Sequence, residues 1–125
     1  MRLNKLQKTA VTALEDIKAR DITLLDVRKL TSLYDTLIVA SAESARQVKA
    51  LARHVRDRLK DAGAYIVGIE GEDSGEWVLV DAGDIVVHIM QPAVRAYYNL
   101  EELWTPPTPK RPAAKPAAKP AAQAA

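Results

Sequence analysis

Glu76-Trp77-Val78-Leu79-Val80-Asp81-Ala82-Gly83-Asp84-Ile85-Val86-Val87-His88-Ile89-Met90 is the stretch whose reading decides the fold. It reads as two aliphatic strands around a tight turn, because β-branched and aromatic side chains suit a pleated surface. Gly83 supplies the positive φ that a hairpin turn requires. Register then decides which side chains share a face. A two-residue turn at Ala82-Gly83 sets Asp81 opposite Asp84, Leu79 opposite Val86 and Trp77 opposite His88. It leaves Val78, Val80, Ile85, Val87 and Ile89 on a purely aliphatic face. A three-residue turn with Gly83 in the left-handed region slips the second strand by one, and brings Trp77 and Leu79 onto the face of Ile85, Val87 and Ile89. The first register partitions the faces more cleanly and is preferred; the second spares Ala82 a positive φ.

Outward from this hairpin, helical and strand periods alternate along the chain. Residues 2–20 place Leu3, Leu6, Ala10, Ala13 or Leu14, and Ile17 on one helical stripe. Ile22 to Val27 is a short apolar strand, residues 29–34 are a connection, and Asp35 to Ser41 is a nearly continuous apolar strand of the kind found inside a sheet. Ser44-Ala45-Arg46-Gln47 has the form of a capping box. Val48, Leu51, Ala52, Val55 and Leu59 follow on one stripe, and Gly63 suits the position just past the helix end. The opposite stripe carries Arg46, Lys49, Arg53, Arg56 and Lys60 beside Asp57 and Asp61, an ordinary solvated face, with His54 placed on it. Ala64 to Ile69 is a third strand, and Glu70 to Gly75 a solvated hairpin loop whose spacing does not match a calcium-binding loop. Pro92 suits the first turn of a last helix over Ala93 to Leu103, which carries Val94, Tyr97, Tyr98, Leu100 and Leu103, with Trp104 after it.

The order helix, strand, strand, helix, strand, strand, strand, helix predicts an α/β fold. Its mixed β-sheet has about five strands, with helices mainly on one face and the other face partly open. Residues 1–104 form this domain. Residues 105–125 hold six of the seven prolines, Lys110, Arg111, Lys115 and Lys119, and no acid. That composition predicts a disordered, partly polyproline-II tail, able to add a weak, salt-sensitive contact to rRNA. The remaining 14 basic side chains face 16 acidic ones, so the domain itself is not basic enough to read as a nucleic-acid binder. With no cysteine, disulfides and thiolate metal sites are excluded. No apolar run approaches the ~20 residues of a membrane span and no signal-peptide core opens the chain, so a soluble, cytoplasmic protein with no membrane contact is expected.

The chain offers no nucleophile elbow, no Walker loop and no dinucleotide fingerprint. Asp81, Asp84 and His88 are the one constellation with metal-ligand chemistry, yet aspartates beside a glycine are what a turn selects anyway. No catalytic residue, metal or cofactor is therefore assigned. A metal-dependent nucleotidyltransferase-like enzyme using Asp81 and Asp84 is the alternative from another class. A further alternative is an RNA-binding assembly factor led by the Arg46 to Lys60 face and the tail.

A set of ordered segments resembles one family. They are Asp26-Val27-Arg28; Asp35 opening a strand that ends at Ser41; Ser44 to Ala50; Gly68-Ile69-Glu70-Gly71; Gly75 to His88; Arg95; and Tyr98-Asn99-Leu100-Glu101-Glu102-Leu103-Trp104. Together, over about residues 3–104, they resemble the ribosomal silencing factor family, also called RsfS or Iojap. The resemblance implies a nucleotidyltransferase-like fold without the catalytic carboxylates. It implies binding to the large ribosomal subunit through its protein L-fourteen, steric obstruction of the small subunit, and repressed translation when nutrients are scarce. Thr36-Leu37 and Ala82 depart from the bulkier residues the family often carries there. On this footing Trp77, Leu79, Asp81, His88, Met90 and Tyr98 are the expected partner-binding residues, at or beneath the contact surface. An open apolar face also fits a homodimer of the free chain.

Overall fold

The computed structural model describes residues 4–99. Its elements are α1 (Lys5–Asp16), β1 (Arg20–Asp26), β2 (Thr36–Ser41), α2 (Ala45–Asp61), β3 (Gly68–Glu70), β4 (Trp77–Asp81), β5 (Ile85–Met90) and α3 (Pro92–Tyr98). This is the order read from periodicity, with the first helix and the third strand shorter than their apolar runs and the last helix ending at Tyr98, where Asn99 takes a left-handed φ of +48°. Leu3, the segment Leu100 to Trp104 and the tail lie outside the described residues.

The five strands form one mixed sheet in the order β1-β2-β5-β4-β3. β2 and β5 run parallel, while the other three pairings are antiparallel. β2 lies inside the sheet and is buried along its whole length, as its unbroken apolar run predicted. α1 and α2 cover one face. Their buried stripes, Ala10, Ala13 and Leu14 from α1 and Val48, Leu51, Ala52, Val55 and Leu59 from α2, meet Ile38, Ala40, Val78, Val80, Ile85, Val87 and Ile89 from the sheet. Each Val, Leu or Ile side chain among them contributes roughly 1.5–3 kcal/mol when removed from water and each alanine methyl less, which is what holds both helices down.

The hairpin corrects both registers weighed above. Trp77 pairs with Met90, Leu79 with His88 and Asp81 with Val86. Ala82 N–H donates to the Ile85 carbonyl at 2.9 Å, so the turn consists of Gly83 and Asp84, one residue later than expected. Gly83 has φ +84°, which fits the first central position of a type II′ turn and leaves Ala82 unstrained. The Asp81 carboxylate accepts the Gly83 N–H at 2.9 Å and fastens the turn. The pairing slips by two relative to the preferred register. An even slip leaves the faces unchanged, so the aliphatic face is the one the sequence predicted.

Two further readings are revised. Ser44 caps α2 by accepting the Gln47 N–H, but Gln47 Oε1 accepts from Glu43 N–H rather than closing the box on Ser44. Gln47 Nε2 instead donates to the Ile17 carbonyl and ties α2 to the end of α1. The full capping box belongs to α1, where Asn4 and Gln7 exchange both bonds. His54 lies at the border of the solvated stripe, its side chain 29 % exposed, and its Nε2 sits 2.9 Å from Asp16, which also accepts from Arg58. α3 lies on the opposite face of the sheet from α1 and α2, so the helices sit mainly on one face, as the sequence predicted. Val94 packs there with Val27, Leu37, Val39, Val86 and Met90, so that face is partly roofed. Thr36 and Leu37 are buried in the two cores, and Thr36 Oγ1 accepts from Gln7 Nε2 at 2.8 Å. Ala82 packs with the α1–α2 side. These departures from the family's usual residues are thus packing positions.

Candidate functional site

The face roofed by α3 carries its side chains in rows set by register. One row runs Glu70, Leu79, His88, Val39; a second pairs Trp77 with Met90 and Ser41; a third runs Gly68, Asp81, Val86, Leu37. Val39, Val86, Leu37 and Met90 are buried, whereas Trp77, Leu79, Asp81 and His88 are half-buried and Glu70 is exposed. Trp77 and His88 are diagonal neighbours, since Leu79 faces His88 directly. Diagonal partners on adjacent strands lie within reach of aromatic side chains. Trp77 Nε1–H donates to His88 Nδ1 at 2.8 Å, with ring centroids 5.8 Å apart.

α3 completes the cluster. Its Tyr98 ring lies 4.8 Å from Trp77, and Tyr97 meets Tyr98 edge-on at 4.9 Å. Tyr97 is 80 % exposed, an unusual position for a ring. Arg95 sets where α3 lies. Its guanidinium donates to the Asp21 carbonyl at 2.6 Å, to Ser41 Oγ at 2.8 Å and to Thr23 Oγ1 at 3.1 Å, bridging the ends of β1 and β2. Asp21 adopts φ +50° at an irregularity in the β1–β2 pairing, which turns its carbonyl toward this arginine. At the other end of the face, burial beside Asp81 raises the Tyr34 hydroxyl pKa, burial being the larger cause. Burial lowers the His88 pKa to about 4, so its imidazole is neutral at physiological pH.

The structure therefore gathers five of the six expected partner-binding residues, Trp77, Leu79, Asp81, His88 and Tyr98, as partly accessible groups around one patch. Met90 is fully buried beneath Trp77 and serves as support. Tyr34, Glu70 and Arg95 belong to the same face and were not picked out as site residues. Glu70 was legible in principle from its place two residues after Gly68 on an edge strand. Arg95 stood among the positions that carry the family resemblance, but its contacts could not be read locally, because its partners are 54 to 74 residues away. For metal chemistry the arrangement offers little: Asp81 is engaged with the turn amide and His88 Nδ1 with Trp77, and among the described residues no three His, Asp or Glu side chains converge.

Comparison with known proteins gives this patch its context. The family described as "Ribosomal silencing factor during starvation" matches residues 1–125. The chain belongs to the ribosomal silencing factor family. A relative from Chromobacterium violaceum named "Ribosomal silencing factor RsfS" is 61 % identical over 104 residues, 83 % of this chain and 85 % of the relative. A crystal structure of a protein from the same organism superposes with a TM-score of 0.80 at 58 % identity, covering 93 % of this chain and 98 % of that one. A mouse protein named "Mitochondrial assembly of ribosomal large subunit protein 1" is 35 % identical over 98 residues, 76 % of this chain but 43 % of the mouse protein. The silencing-factor fold thus includes the hairpin, the sheet and the helices described above.

Proposed function

We propose that this protein binds the large ribosomal subunit through the Trp77–Leu79–His88–Tyr98 patch and obstructs docking of the small subunit, lowering translation. Its contact is ribosomal protein L-fourteen, as the family resemblance implies. The observation that carries the reading is a preformed cluster of aromatic and aliphatic side chains on a rigid sheet face. Aromatic anchors held in place before binding lose little freedom on association, and such anchors supply most of the energy of a protein interface. The acidic Glu70 and Asp81 at its border suit a partner surface with basic residues. The names of the relatives support a ribosomal partner, and a large-subunit one in the mouse case. The mechanism is steric: the bound domain excludes a third body, and no bond is made or broken in the partner.

Sucrose-gradient sedimentation with purified subunits tests this. The full chain is expected to travel with the large subunit and to reduce the fraction of joined ribosomes. Trp77→Ala and Tyr98→Ala, each checked for a cooperative melt, are expected to weaken co-sedimentation by ~30-fold or more, the scale of losing an aromatic anchor. Folded variants that sediment like the parent would remove the patch from the mechanism. Undiminished joining of subunits in the presence of saturating protein would remove the mechanism itself.

A further inference from the structure

His88 occupies the middle of the patch, and its bonding settles its chemistry. An indole N–H only donates, so the nitrogen that receives it must be bare. Trp77 Nε1 points at Nδ1 of His88 at 2.8 Å. A neutral imidazole then carries its proton on Nε2. Among the described residues nothing bonds to that Nε2, while no polar side-chain atom there is both buried and unpartnered. The Nε2–H consequently keeps an open side, within a patch whose neighbours Leu79 and Val39 offer it no acceptor.

We infer that the Trp77–His88 pair is a preset donor: Trp77 locks the imidazole as its Nε2–H tautomer, and His88 gives that proton as a hydrogen bond to an amide carbonyl of the protein partner. The inference deepens the binding reading above and rests on it. A carbonyl fits better than an anionic oxygen, because the charged groups on this face nearest β4 and β3 are the carboxylates of Asp81 and Glu70. Among the described residues, the other titratable or charged groups of the face are Tyr34 in the β1–β2 connection and Arg95, Tyr97 and Tyr98 on α3. Arg95 is turned toward Asp21, Thr23 and Ser41. The same carboxylates disfavour phosphate and so favour protein over RNA as the source of the acceptor. A neutral imidazole, with its pKa pushed down to about 4, donates without bringing a charge into the interface. The lock makes His88 a specificity-determining residue: a partner without an acceptor at that spot leaves a desolvated N–H unpaired.

Two measurements on the full chain decide this. In a long-range proton–nitrogen spectrum of histidine-labelled protein, with His54 assigned through His54→Gln, His88 is expected to show a bare Nδ1 and a protonated Nε2. A proton on Nδ1 overturns the lock. In co-sedimentation with large subunits, His88→Gln keeps an acceptor for Trp77 and an N–H for the partner, and is expected to bind within about threefold of the parent. His88→Leu keeps neither and is expected to bind about tenfold or more weakly. If both variants bind like the parent, the donor role fails while the binding reading stands; if the parent does not bind, both fail. Affinity that is level from pH 8 to 5.5 supports a carbonyl acceptor, and affinity that rises steadily as pH falls overturns it in favour of a carboxylate. Capture of protein-free large-subunit RNA by the parent and not by His88→Leu overturns the protein acceptor.

Discussion

Trp77 serves two partners at once. Its ring supports Tyr98 and its N–H holds His88, so one residue fixes both the aromatic and the polar part of the patch. The cost of keeping His88 neutral gives a pH signature. Its folded pKa of about 4 lies below the ordinary 6.5, so the unfolded chain binds the extra proton first. The stabilising contribution is complete above pH 6.5, declines as pH falls, and is lost by pH 4. It amounts to roughly 2–3 kcal/mol across that window at 1.36 kcal/mol per pKa unit. Urea melts of the parent are expected to lose that much more stability between pH 7 and 4 than melts of His88→Gln. Exposed Asp26, whose carboxyl is held at about 2 by hydrogen bonds from Arg28, contributes equally in parent and variant and so drops out of the difference. Equal slopes for parent and variant would contradict the half-buried, neutral imidazole.

Elements are joined by a few close contacts that differ sharply in tolerance. Gly75 has φ +71°, and a Cβ there would stand 2.6 Å from the Cβ of Ala45 at the start of α2. Gly83 has a similar φ of +84° but open space around it. Gly83→Ala is therefore expected to cost about 1 kcal/mol of backbone strain. Gly75→Ala adds a clash between the loop and α2, and is expected to cost about 2 kcal/mol more. Thermal melts of the two variants check the order. α3 depends on Arg95 in another way. Replacing it with methionine removes three hydrogen bonds from a cation and leaves the Asp21 carbonyl without its partner, an expected loss of about 1.5–3 kcal/mol. In a Trp104→Phe background, Arg95→Met is expected to red-shift Trp77 emission as Tyr98 leaves it. An unshifted spectrum would mean that Val94 alone anchors the helix.

At the scale of the molecule, α1 and α2 make one sheet face a core, while among the described residues α3 roofs only part of the other and leaves the Trp77 patch partly accessible. Ending the chain after residue 104 is expected to keep the unfolding midpoint, because the Pro-Ala-Lys composition of residues 105–125 cannot bury a core. A lowered midpoint would show that the tail packs on the domain.

The order of all eight elements was legible in the chain, since helical and strand periods are local properties of neighbouring side chains. The composition of each sheet face was legible only in part: alternation sorts the side chains within one strand, but two registers of opposite parity stood open for the hairpin, and only the preferred one gives the faces observed. The six residues expected at or beneath the contact surface owe their selection to the family resemblance together with that alternation. The hairpin's slip by two was hidden: it preserves every face, and only the strain of a positive φ at Ala82 argues against the other placement. The side on which α3 settles, the pairing of His54 with Asp16 and the reach of Arg95 to Asp21 were equally hidden. Each joins residues far apart in the chain, and their energies arise only once the sheet has brought those residues within a few ångströms. The diagonal meeting of Trp77 with His88, which fixes where the imidazole proton resides, belongs to that second kind. Residue types permitted it, and the register of two strands decided it.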